Sequence, residues 1–131
     1  MHALSAKQVR GYVDNYNLDF IGFPDDNFAV DRGRIKKMIP VFKEYGLDKV
    51  RWGTHTRMDE ADERIFDMAK SGCVYIGFGA ESASGHTLEL MQKGGFILRN
   101  GMTQKKINGR IYDFPTTMIN AVKNCKETNI H

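Results

Sequence analysis

The sequence predicts an α/β fold built from three parallel βα units. Three observations carry that prediction. Stretches with apolar residues at helical spacing alternate with short apolar runs rich in strand formers. The major helical stretches stop at Asn or Gly, which favour the left-handed cap conformation. The chain has 131 residues, 41% apolar and 27% charged, which suits one packed domain and excludes a disordered or low-complexity chain.

The elements follow in order. Ser5 and Gln8 have capping-box spacing before Val9, Tyr12, Val13 and Tyr16, so a helix is expected over 5–16, closed at Asn17. The first strand is expected over 18–23, stopped by Pro24. Asp31 is placed to cap a second helix with Ile35, Met38, Ile39, Phe42 and Tyr45 on its apolar face. Pro40 inside that pattern predicts a kink or break. Gly46 ends the helix, and 47–53 reads as the second strand. Asp59 is placed to cap a third helix with Ile65, Phe66, Met68 and Ala69 as its apolar set, ended by Gly72. A third strand is expected over 73–78 and a fourth helix over 85–92. The segment 93–113 is Gly-rich, basic and weakly periodic, and reads as either a short hairpin or a long loop. Met118, Ile119, Val122 and Cys125 then mark a last helix over 114–128, with Pro115 in its first turn. Asn129 ends it, where the periodicity predicts a fourth strand.

Charge and cysteines narrow the function classes. Net charge is +3, but Leu90 to Tyr112 holds five bases and no acid, leaving 14 bases against 16 acids elsewhere. The segment reads first as a solvated loop and second as a contact for phosphate, nucleic acid or an acidic partner. No aromatic-plus-basic recognition motif is visible along it, so nucleic acid is the least favoured partner. Cys73 and Cys125 form no CxxC pair, which excludes a zinc knuckle or thioredoxin-like site and suits a reducing, cytoplasmic setting. The segment Met1–Lys7 has no apolar signal region, and no apolar run approaches membrane-spanning length.

Ligands of parallel α/β folds bind at the carboxyl ends of the strands. The residues just past the three strands are polar: Pro24-Asp25-Asp26-Asn27, Thr54-His55-Thr56-Arg57, and Gly79-Ala80-Glu81-Ser82. Asp25 and Asp26 read as a turn signal or as carboxylates for an amine, a hydroxyl or Mg²⁺. Arg57 suits a ligand carboxylate, or a surface pair with Asp59 or Glu60. Glu81 stands beside Gly77, Gly79 and Ala80, where a ligand can approach the backbone, or it caps the helix near Ser84. A metal site from Asp26, His55 and Glu81 has no tight ligand spacing behind it. Gly77-Phe78-Gly79-Ala80 matches only part of a glycine-rich phosphate loop.

Four phrases follow one another in order: Phe23-Pro24-Asp25-Asp26-Asn27-Phe28, Arg57-Met58-Asp59, Lys70-Ser71-Gly72-Cys73 and Gly79-Ala80-Glu81-Ser82. With them the chain resembles the middle of a radical S-adenosylmethionine (SAM) enzyme, of the kind often fused to a cobalamin-binding domain. The resemblance covers about residues 5–92, and 114–131 as the helix before a further strand. It implies a partial, half-size TIM-like barrel as a single domain over 1–131, with 93–113 as a basic insertion. It implies SAM as cofactor, with Asp25 and Asp26 at its amino group, Arg57 near its carboxylate, and Glu81 and Ser82 near its ribose.

The family's CxxxCxxC motif, which holds its 4Fe–4S cluster, is missing, and two cysteines far apart in sequence cannot replace three thiolates on one cluster. The resemblance therefore implies a SAM-binding core fragment that is catalytically incompetent alone, with no catalytic residue assigned. Its partners would be the missing barrel segments of a longer chain. The alternative is a stand-alone binding or assembly module that completes its sheet by homodimerisation.

Overall fold

The computed structural model describes residues 3–131; Met1 and His2 lie outside the described residues. Six helices, five strands and two short 3-10 turns run in the order α1 (Ala3–Tyr16), β1 (Phe20–Phe23), α2 (Arg32–Glu44), a turn over Leu47–Lys49, β2 (Arg51–Thr56), a turn over Met58–Glu60, α3 (Arg64–Lys70), β3 (Cys73–Phe78), α4 (Gly85–Leu90), α5 (Gly94–Ile97), β4 (Met102–Ile107), β5 (Arg110–Pro115) and α6 (Thr116–Thr128). β1, β2 and β3 form one parallel sheet in that order, and β4 and β5 form a separate antiparallel hairpin. The expected three parallel βα units are present.

Helix ends follow local chemistry. Asn17, Gly46, Gly72 and Asn129 all have positive φ, as their cap role requires. Asp31 caps α2 by accepting from the amides of Gly33 and Arg34. Gly72 has a second constraint, because a Cβ there would lie 2.8 Å from the carbonyl oxygen of Val50.

Several boundaries differ from expectation. Ser5 lies inside α1, which already runs from Ala3. The second strand starts at Arg51, because Leu47–Lys49 coils into a buried 3-10 turn. Asp59 caps nothing; its carboxylate pairs with Arg57, and α3 starts only at Arg64. Phe66, expected inside, is 36% exposed, while Arg64 is turned inward to donate to the Ala29 carbonyl at 2.7 Å. α2 continues through Pro40, which sits on its exposed side.

The sheet buries one face. Trp52 is fully buried among the rings of Phe23, Phe28 and Phe42, with centroids 5.2–6.0 Å from its own. Its indole N–H donates to the Ser71 carbonyl at 2.8 Å, so this large side chain leaves no polar atom unpaired. Ile35, Met38, Ile65 and Met68 close the layer from α2 and α3.

The other face is open. The pleat puts Phe20, Gly22, Gly53, His55, Tyr75 and Gly77 there, and Phe20 and Tyr75 stay 42% and 45% exposed. Parallel sheets are ordinarily covered on both faces.

Where the fourth strand is expected, His131 pairs beside β3. The amide of His131 donates to Val74 O at 2.9 Å, and its carbonyl accepts from Ile76 N at 2.8 Å. This is the bonding pattern of a parallel ladder beside β3. Beyond that rung an apolar groove of about 410 Å³ opens between β3 and α6, lined by Ile76, Phe78, Val122, Cys125 and Ile130 among others.

The basic segment resolves into α5 and a hairpin. Asn108 and Gly109 both take positive φ, the requirement of a two-residue type I′ turn. Pairing then runs from Ile107↔Arg110 to Met102↔Pro115 without a bulge.

Candidate functional site

The carboxyl ends of β1, β2 and β3 form one rim. A buried polar network builds it. The Thr56 hydroxyl, at the end of β2, donates to Glu60 Oε2 at 2.7 Å and accepts from the amide of Ala29 at 3.2 Å. That hydroxyl has one proton, so the Asn27 side chain meets Glu60 and Thr56 with its amide nitrogen. Glu60 is only 5% exposed and is satisfied by these donors. The loop after β1 is thereby tied to the end of β2, and the amide of Phe28 adds a bond to the His55 carbonyl at 3.1 Å.

Asp62 and Arg64 brace the same corner. Arg64 Nε donates to Asp62 Oδ1 at 2.7 Å, and Arg32 pairs with both Asp62 and Glu63. Burial pushes the Asp62 carboxyl up, but the Arg64 hydrogen bonds and the charges of Arg64 and Arg32 outweigh it. The net result lies below the ordinary carboxylate value.

Of the residues expected to bind a ligand, two share a cleft. Asp26 and Arg57 line a cleft of about 330 Å³ with Thr56, Asp59, Gly79, Lys93 and Phe96. Arg57 is held firmly. Its Nε and Nη2 donate to the two oxygens of Asp59 at 3.0 and 2.7 Å, and its guanidinium lies 3.5 Å from the centroid of the Phe96 ring. Among the described residues its Nη1 donates to nothing, which leaves one edge for a ligand oxygen.

Glu81, past the end of β3, does not line that cleft but meets two residues that do, Lys93 and Gly79. Its φ is +57°, a left-handed conformation that costs a non-Gly residue free energy. Its Oε1 accepts from Lys93 Nζ at 2.9 Å, and a Cβ on Gly79 would lie 3.2 Å from that oxygen. Glu81 does not cap α4; the Ser84 hydroxyl does, accepting from the amide of Thr87 at 3.3 Å.

Asp25 and Ser82 stand apart. Asp25 Oδ1 accepts from the amide of Asn27 at 3.0 Å, and Oδ2 pairs with Arg34 at 3.1 Å. It borders a different cleft, with Ser5, Phe23 and Met38. Ser82 Oγ accepts from the amide of Ser84 at 3.0 Å and so shapes the approach to α4. His55, read as a loop residue, lies in β2 on the open face. Its ring packs edge-on to Tyr75, centroids 6.2 Å apart, over Gly77. Among the described residues no group of three His, Cys, Asp or Glu side chains is placed to hold a metal ion.

Lys93 and Phe96 were not expected at the rim, because they belong to the segment read as an insertion. Their sequence surroundings carry no signal for the contact, which depends on where α5 folds back.

The two cysteines are free thiols. Burial pushes the Cys73 thiol up to about 12 and the Cys125 thiol up as well, so both are protonated at neutral pH. Two cysteines, one buried and one half-buried, supply fewer thiolates than an iron–sulfur cluster takes.

No protein-family model matches the chain. It is similar to an uncharacterized methyltransferase of Pyrococcus horikoshii, 30% identical over 117 residues, which is 88% of this chain and 21% of that protein. It is also similar to the cytidylyl-2-hydroxyethylphosphonate methyltransferase of Streptomyces wedmorensis, 34% identical over 84 residues, which is 61% of this chain and 15% of that protein. The chain thus spans about a fifth or less of the length of these relatives. Among the described residues no helix is long and apolar enough to cross a membrane.

Proposed function

We propose that the chain is the SAM-binding part of a methyl-transferring enzyme, and that its ligand sits in the rim cleft between Asp26, Arg57 and Glu81. The reading rests on Asp26 and Arg57 lining one cleft with Glu81 tied to its edge through Lys93, and the similarity to two methyltransferases supports it. SAM has a cationic amino group, a carboxylate and a ribose diol. In this reading Arg57 Nη1 takes the carboxylate, Asp26 the ammonium, and Glu81 the ribose hydroxyls once Lys93 swings aside. Gly79 leaves room for close approach. Bound SAM would supply an electrophilic methyl group on a sulfonium; this chain's residues would bind and orient it. Asp25 and Ser82 support the loops that present these groups.

The partial barrel and the radical SAM relationship are the finer form of this proposal. The ordered phrases, the open face of the parallel sheet and the His131 rung beside β3 support it. A 4Fe–4S cluster would need ligands from outside these residues.

Titration calorimetry with SAM is the test. Weak binding is expected, with Kd on the order of 0.1–1 mM, as for part of a larger site. Arg57→Met and Glu81→Gln should each weaken it about tenfold or more while circular dichroism stays unchanged. A folded protein that gives no heat at millimolar SAM would overturn the reading.

A further inference from the structure

The register of the hairpin brings together what the linear sequence separates. Directly opposite residues of an antiparallel pair share a face. Thr103 faces Phe114, Lys105 faces Tyr112 and Ile107 faces Arg110, so all six lie on one side. That side carries two cations, two aromatic rings and no acid. The Tyr112 and Phe114 rings stand 6.4 Å apart, and Tyr112 is 43% exposed. Asp113, the one acid in the hairpin, lies on the opposite side across from Gln104.

The charges there are unspent. The chain has eight arginines. Arg10, Arg32, Arg34, Arg51, Arg57 and Arg64 each pair with a carboxylate. Among the described residues Arg99 and Arg110 do not, nor do Lys105 and Lys106. The hairpin is rooted firmly enough to present them. Thr103 and Thr116 share a hydroxyl hydrogen bond of 2.8 Å, and the amide of Thr116 donates to Gly101 O at 2.9 Å. Beyond that root it stands free, with Ile107, Ile111 and Tyr112 exposed.

We propose that this face binds single-stranded nucleic acid, with bases stacking on Tyr112 and Phe114 and phosphates meeting Lys105 and Arg110. Cations interleaved with aromatic rings are the combination such ligands need. An acidic peptide would use the charges but leave the rings idle. A free nucleotide would want a concave pocket, and the rim cleft and the grooves described above are lined by other residues. The ladder of six pairs is about 20 Å long, which accommodates a few nucleotides. The site is independent of the SAM cleft, and either can fail alone.

The test is fluorescence anisotropy of the full chain with a labelled 12-nucleotide oligouridine. Expected is binding at 50 mM salt with Kd on the order of 1–100 μM, and log K falling with log salt at a slope of about −1.4 for two phosphate contacts. Joint Lys105→Gln and Arg110→Gln substitution should flatten the slope. Tyr112→Ala should weaken binding about 5- to 100-fold, and Tyr112→Phe should retain it. Joint Lys36→Glu and Lys37→Glu substitution on α2 should change nothing comparable. The proposal is overturned by an absence of binding at 50 mM salt, by equal loss in the α2 variant, by Tyr112→Ala binding as tightly as the parent, or by polyglutamate competing as well as the oligonucleotide. All these positions are solvent-exposed, and an unchanged circular dichroism spectrum separates loss of binding from loss of fold.

Discussion

The βα layer and the β4–β5 hairpin are both built from strand-forming residues, yet they are held by different forces. In the layer, Trp52, Phe42, Ile65 and Met68 are at most 1% exposed, and the arginines around it are paired. In the hairpin, Ile111 is 66% exposed and the cations face water. The layer exists because distant segments bury one another. The hairpin exists because Asn108-Gly109 turns the chain back with the right twist and α6 anchors its base. A two-stranded ribbon is marginal by itself, so the hairpin depends on that anchor.

Mutations should separate the two regimes. The largest effect is expected at Trp52→Ala, which removes the centre of the aromatic cluster and should cost about 3–5 kcal/mol in urea unfolding. Hairpin contacts would then be lost only as part of global unfolding. If the variant melts like the parent, the core is not where the structure puts it.

Gly72→Ala comes next. The added Cβ meets the Val50 and Asp48 carbonyl oxygens at 2.8 and 2.9 Å, and φ is +95°. A loss of about 2–4 kcal/mol is expected, since backbone cannot yield as a side chain can. The matched change Gly109→Ala meets no atom within 4 Å. It should fray only the hairpin, seen as faster amide exchange at 102–115 with the core protection intact.

Acid should act on the layer first. The Asp62 carboxyl lies below its ordinary value in the folded protein, so it stabilises the fold above the unfolded value of 3.8. That contribution fades as pH drops from there through the lower folded value. Asp62→Asn should flatten the acid limb of the unfolding curve in that window. An unchanged limb would mean that the Arg64 pair does not brace the rim.

The smallest effect is expected at Ile111→Ala on the hairpin, within about 0.5 kcal/mol of the parent. A larger loss would show that something in the chain covers that face after all.

Much of the layer was legible in the sequence. The helix stops at Asn17, Gly46, Gly72 and Asn129 could be read directly, because left-handed caps are a local demand met by few residue types. The order of three parallel strands followed from the alternation of periods. Strand starts were less legible: 47–49 has strand-like composition but coils to bury Leu47 beneath the layer. The Asn108-Gly109 pair was a hairpin signal within a segment otherwise read for its charge and glycines.

The candidate site divides the same way. Asp26, Arg57 and Glu81 were picked out because strand ends are predictable places for ligands; the chain brings Asp26 and Arg57 to one cleft and leaves Glu81 paired with Lys93 at its edge. Asp25 could not be told from its neighbour by sequence. Only the fold reveals that Arg34, a turn into α2, already holds it. Lys93 and Phe96 were invisible as rim residues, since their role depends on α5 folding back against the Met58–Glu60 turn that follows β2.

By itself, then, the sequence determined the periods, the caps and the polar strand ends, all consequences of backbone geometry acting over a few residues. Tertiary structure alone decided which carboxylate meets which cation, which face of the sheet stays open, and that Lys105, Arg110, Tyr112 and Phe114 share one side of a ribbon. Those outcomes depend on contacts between residues far apart in the chain, where register and packing, not local propensity, select the partner.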